Sequence, residues 1–175
     1  KDATEFVTWV FEKHKVPSKY SSVCADVLLS ADELGFTSHG LSRLGYYIKR
    51  IKDNVIDVNA TPEIVRDNKA CVTIDGHNAL GQIVGKYAIN QAIKKTQEHG
   101  IGCVAVRNSS HYGIASYYSR YATQHNLVGM SFTNARPAVA PVNSIEPKLG
   151  TNPYAIAFPS DYDFPFSIDC ATSIY

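Results

Sequence analysis

Ile101-Gly102-Cys103-Val104-Ala105-Val106, followed by Asn108-Ser109-Ser110-His111-Tyr112-Gly113 and an amphipathic run over 114–125, is the stretch that decides the fold class. Its first part is apolar and β-branched and reads as a buried strand. Its last part repeats apolar residues at helical spacing. Strand, polar loop and helix in that order are the unit of an α/β sheet, and such sheets bind ligands beyond the carboxyl ends of their strands. His111 stands at that junction, with a side chain that gives and takes protons near neutral pH.

Working outward, residues 128–132, 154–158 and 166–169 read as further strands, and 63–67 with 70–75 as a hairpin across Asn68-Lys69. Residues 79–99 carry a long helical pattern closed by Gly100 at the C-cap. Before about Thr61 the pattern is wholly helical. One helix covers 2–16, a second is capped by Ser18 after Pro17 and ends near Gly35, and a third covers 40–53. The expected organisation is a helical section over 1–60 and a mixed α/β domain over 61–175.

With 175 residues, 45% hydrophobic and 19% charged, the composition is that of an ordinary globular protein. A net charge of +1 offers no electrostatic footprint for nucleic acid or an anionic membrane. The densest basic run, Lys49-Arg50-Ile51-Lys52, is broken by Asp53 and reads as a solvated helix face. Cys24, Cys71, Cys103 and Cys170 are too scattered for a metal finger or a C-x-x-C pair, and Cys71 and Cys103 read as small core residues. No cluster has metal-ligand spacing. Without a signal peptide or an apolar run of ~20 residues, the expectation is a reduced, cytoplasmic protein. The chain opens on Lys1 rather than methionine and stops just after a strand, the pattern expected of a piece of a longer chain.

Gly76-His77-Asn78-Ala79-Leu80-Gly81 sits between a strand and a helix, as a phosphate loop would. It lacks the Lys-Ser/Thr pair, and Gly76, Gly81 and Gly85 do not have G-x-G-x-x-G spacing. A turn with close helix packing is the better reading. Thr37-Ser38-His39-Gly40-Leu41-Ser42-Arg43 places Arg43 four residues after His39 at a helix start, which suits a carboxylate. A capping Ser38 with a locally bonded His39 is the alternative. His14, His77, His99 and His125 read as surface groups. Thr133-Asn134-Ala135-Arg136-Pro137, Gly150-Thr151-Asn152-Pro153 and Asp169-Cys170-Ala171-Thr172-Ser173 are three polar loops at strand ends. Each alone reads as turn chemistry; together they suggest one shared site.

These runs, in this order, resemble the type-2 malate/L-lactate dehydrogenase family, non-Rossmann oxidoreductases that use NAD or NADP. The resemblance spans nearly the whole chain. It implies His111 as the general acid/base and Arg43 as the clamp on the substrate carboxylate, with Ser38 and His39 beside it. It further implies Thr133, Asn134, Ala135, Thr151 and Asn152 around the nicotinamide, and Asp169, Cys170 and Ala171 further along the cofactor. Arg136 falls at a position that varies with substrate, where it could contact a second carboxylate. The family is about twice this length and forms homodimers. Val142-Asn143-Ser144 stands where it commonly has a glycine-rich turn. A small 2-hydroxy acid of the malate or L-lactate type is the implied substrate. Two other readings remain open: a non-catalytic ligand-binding domain on the same scaffold, and a hydrolase using Ser109 or Ser110, for which no G-x-S-x-G elbow exists.

Overall fold

Apolar periodicity accounts for the helical start of the chain, and a computed structural model describes residues 2–173. In α1 (Asp2–Lys13) Val7 and Phe11, four residues apart, are fully buried. They pack against Cys24, Ala25 and Leu28 of α2 (Ser18–Glu33). Ser18 is the first helical residue rather than the cap. Pro17, at φ −57° and ψ 140°, is itself the N-cap, and no side chain completes it. The fixed proline φ sets the helix entry, so the expected role of Ser18 is not realised.

The pattern over 40–53 resolves into a 3-10 turn, Leu41–Arg43, and α3 (Leu44–Lys52). Asp32 sets this entry: its carboxylate accepts the Leu41 N–H at 2.7 Å, and a Cβ on Gly40 would strike the same carboxylate. Tyr47 and Ile48 of α3 join the helical core.

β1 (Glu63–Asn68) and β2 (Cys71–Asp75) form the expected hairpin, with Lys69 at φ 52° in its turn. From β2 the chain crosses through α4 (Gly81–His99), ends it on left-handed Gly100, and returns as β3 (Cys103–Arg107) parallel to β2. The sheet order is β1-β2-β3. The run expected to be a buried strand is therefore an edge strand: Ile101 is 67% and Val106 40% exposed. Cys71 and Cys103, register partners at the strand starts, are exposed rather than core. An apolar β-branched run specifies extended backbone, but whether neighbours cover it depends on its place in the sheet.

α5 (Ala115–Thr123), β4 (Gly129–Phe132), β5 (Tyr154–Phe158) and β6 (Phe166–Cys170) follow, the strands forming an antiparallel meander in that order. Buried Tyr118 and Ala122 of α5 and Ala155 and Ala157 of β5 form the helix-on-sheet core. In the loop between β4 and β5, Asn143 takes φ 65° and the Ser144 N–H bonds Pro141 O at 2.9 Å. Asparagine thus supplies the left-handed position that glycine would otherwise fill.

Packing groups the chain into two units, Lys1–Ile114 and Ala115–Tyr175. Leu80 and Ile83, at the start of α4, belong to the same buried cluster as Phe11, Leu28 and Tyr47. That cluster ties the helical section to the start of α4. Among the described residues no helix is long and apolar enough to cross a membrane.

Candidate active site

Within the first unit, two loops leave the carboxyl ends of the parallel strands β2 and β3, and Asp75 fastens them together. Its carboxylate accepts the His77 N–H at 2.9 Å, Asn108 Nδ2 at 3.0 and 2.9 Å, and Arg107 Nε at 2.9 Å. These donors, the His77 amide first and then Asn108, hold the Asp75 carboxyl below its usual range against the opposing effect of burial. Asn108, His77 and Asn78 all adopt positive φ, of 51°, 48° and 61°. Non-glycine residues pay for that conformation, and the Asp75 cluster helps to hold it.

Gly81 then lets α4 start against the second loop. A Cβ there would strike the carbonyl oxygens of Ser110 and His111. Ser110 Oγ accepts the Gly81 N–H at 2.8 Å and donates to Ala79 O at 3.1 Å. Its two backbone bonds make Ser110 a fastener between the loops, which weighs against the nucleophilic role considered above. The 76–81 turn is a packing device, as its spacing suggested.

His111 emerges from this braced loop toward α3. Its Nδ1 lies 2.6 Å from Tyr47 Oη and 3.3 Å from the Gly113 N–H that donates to it. With Nδ1 engaged, Nε2 is the ring nitrogen left for a ligand. Tyr47 is fully buried, its ring 6.5 Å from that of Phe11, and burial pushes its hydroxyl pKa up, so it stays protonated. The pattern of α3 showed Tyr47 only as part of an apolar stripe. A tyrosine rather than a leucine there was the available signal, because a buried phenol needs a polar partner.

His39 stacks on His111, ring centroids 5.6 Å apart, and Ser38 Oγ lies 2.8 Å from His39 Nδ1. Arg43 donates Nε to Ser38 O at 2.7 Å. The structure thus brings Ser38, His39, Arg43 and His111 together, but not as a helix face. His39 precedes the 3-10 turn, and the Leu41 N–H at the start of that turn is taken by Asp32. Arg50, read as part of a solvated face, instead lies 5.4 Å from the Tyr46 ring, with Arg43 at 5.8 Å and the His111 ring at 6.0 Å from the same ring. Burial first, then the charges of His39, Arg43 and Arg50, lower the His111 pKa to about 4. His111 is therefore neutral at pH 7, ready to accept a proton.

This has a consequence for stability. The unfolded chain protonates His111 near the ordinary histidine value of ~6.5, and the folded chain only near 4. Between those values the unfolded state binds more protons, so the contribution of neutral His111 is complete above about pH 6.5 and is lost as pH falls toward 4. Denaturant midpoints from pH 7.5 to 4.5 are expected to fall more steeply for the parent than for His111→Gln. Parallel curves would contradict the depressed pKa.

In the second unit, the antiparallel register Phe132↔Tyr154↔Cys170 puts the end of β4, the start of β5 and the end of β6 side by side. The three polar loops issue from that one end, as the sequence suggested. Ala135 N–H donates to Asn152 Oδ1 at 3.0 Å, and Thr172 donates both its N–H (2.9 Å) and Oγ1 (3.0 Å) to Thr151 O. A Cβ on Gly150 would strike the Ala135 carbonyl oxygen, so the loops pack at backbone distance. Thr133, Asn134, Ala135, Thr151, Asn152, Cys170 and Ala171 all lie in this cluster. Asp169 is partly committed, its carboxylate accepting the Ser116 N–H at 2.8 Å at the start of α5. Arg136 is exposed in the first of these loops. Hydroxyls and amides of these loops are thus gathered in one closely packed cluster.

A family model described as malate/L-lactate dehydrogenase matches residues 1–175. An L-sulfolactate dehydrogenase of Methanocaldococcus jannaschii is 44% identical over 164 residues, 94% of this chain and 47% of that protein. A malate dehydrogenase of Pyrococcus horikoshii is 43% identical over 169 residues, 97% of this chain and 47% of that protein. The solved structure of malate dehydrogenase from Pyrococcus horikoshii OT3 superposes with a TM-score of 0.96 at 42% identity, covering 99% of this chain and 49% of that one. The chain spans about half the length of the curated relatives it matches.

Proposed function

The chain belongs to the malate/L-lactate dehydrogenase family, and from that membership we propose an NAD(P)-dependent oxidoreductase that moves a hydride between nicotinamide and a small 2-hydroxy acid of the malate or L-lactate type. The observation that carries the reading is His111: neutral, with Nδ1 engaged by Tyr47 and with arginines close by. When bound, the nicotinamide cofactor supplies or accepts the hydride. Thr133, Asn134, Ala135, Thr151 and Asn152, with Asp169, Cys170 and Ala171 further along, are the residues that would hold it.

The protein's own part is proton transfer and positioning. The Arg43 guanidinium clamps the substrate carboxylate, with Ser38 and His39 beside it, and so orients the hydroxyl-bearing carbon. In oxidation, His111 Nε2 takes the hydroxyl proton as the carbon–hydrogen electron pair departs, leaving the 2-oxo acid and a protonated imidazole. In reduction, the same nitrogen returns the proton to the carbonyl oxygen. An anionic substrate beside Arg43 offsets part of the charge that depresses the His111 pKa, so binding makes that proton easier to hold. Arg136 is assigned a further contact to substrate. A homodimer, as the resemblance implies, and a cytoplasmic location complete the reading.

The test follows NAD(P)H absorbance with pyruvate, oxaloacetate and related 2-oxo acids, using a polypeptide of family length that carries this sequence. Turnover of at least one is expected, and no turnover of any would overturn the reading.

A further inference from the structure

Among the described residues, the arginine paired with a carboxylate is Arg107, to Asp75. Arg43 and Arg50 have no acidic partner within ion-pairing distance there. They are seven residues apart, two helical turns, and so lie on the same side of the chain entering and forming α3. Both guanidiniums lie within 6 Å of the Tyr46 ring, at 5.8 and 5.4 Å. That ring meets His111 edge-on at 6.0 Å. Two unneutralised cations therefore share one aromatic shelf beside the acid/base residue.

Arg50 is partly buried in this position. Its Nε is sealed from solvent with no hydrogen-bond acceptor. A buried donor without an acceptor costs stability. A solvated helix face would not hold an arginine so. Arg43, by contrast, spends its Nε on Ser38 O.

We propose that Arg50 determines substrate specificity: with Arg43 it forms a two-cation seat for a 2-hydroxy or 2-oxo acid bearing a second anionic group, a carboxylate or a sulfonate, in preference to a monocarboxylate. The proposal rests on the dehydrogenase reading and deepens it. Arg43 takes the carboxylate next to the reacting carbon, and Arg50 takes the distal anion. A monocarboxylate leaves the second guanidinium uncompensated, whereas a dianion neutralises both. Arg136, in the second unit, is not needed for this discrimination.

The experiment compares kcat/KM for oxaloacetate and 3-sulfopyruvate with that for pyruvate, in the family-length protein and in its Arg50→Gln and Arg50→Lys variants. Arg50→Gln is expected to lower the dianion-to-monoanion ratio by roughly 10- to 100-fold, the size of a lost charge-assisted contact. Arg50→Lys keeps the charge and is expected to retain most of the ratio. An equal loss for all three substrates would show that Arg50 serves packing and would overturn the proposal. Calorimetric affinities for malate and lactate separate this failure from that of the dehydrogenase reading. If the parent turns over no 2-oxo acid, the dehydrogenase reading falls, yet a selective loss of malate affinity in Arg50→Gln still supports the seat. Equal affinities for malate in parent and variant overturn it.

Discussion

Replacing His111 by asparagine is expected to reduce kcat by roughly 100- to 10,000-fold, the usual contribution of a positioned acid/base, with a much smaller change in KM. Asparagine is similar in polarity and can still bond Tyr47, but it cannot take a proton from an alcohol. The pH profile supplies the second reading. In the parent, the free-protein limb of kcat/KM for hydroxy-acid oxidation lies well below the ordinary histidine value, because the His111 pKa is about 4. The limb is expected to vanish in the variant. A variant that keeps parental kcat would remove His111 from the chemistry.

Arg43→Ala is expected to lower kcat/KM by roughly 100-fold or more, through loss of both binding and orientation of the carboxylate. Arg43→Lys should recover only part of this, since an ammonium is a point charge and cannot reproduce a planar two-pronged contact. The variant also tests the electrostatics independently. Arg43 is among the charges, after burial and His39, that depress the His111 pKa. Its removal should therefore move the acid limb of the pH profile upward, toward the ordinary histidine value. A loss of kcat/KM with an unmoved limb would mean that Arg43 acts at a distance from His111.

How much of this was legible in the chain varies by residue. The Gly100 stop, the Asn68-Lys69 turn and the bounds of β5 depend on local backbone preference, so they can be read from a few neighbouring residues. The β4–β6 loops were legible as a group because an antiparallel meander brings alternate strand ends together whatever the side chains. Tyr46, Tyr47 and Arg50 were not legible as site residues. Helical periodicity says which positions share a face but not what that face meets, and His111 lies 64 positions beyond Tyr47. The exposure of β3 was hidden for the same reason: β-branched residues specify a strand without specifying its neighbours.

The sequence by itself determined the order of elements and the absence of a glycine-rich dinucleotide fingerprint, which follow from short-range preference, and its resemblance to a known family pointed to His111 and Arg43. Only the tertiary structure decided that Asp75 braces the His111 loop, that Asp32 rather than a ligand caps the Leu41 amide, and that Arg50 joins Arg43 beside a neutral imidazole. These are meetings between residues distant in the chain, and their strength depends on burial and on the charges gathered nearby. Neither quantity exists until the chain has folded.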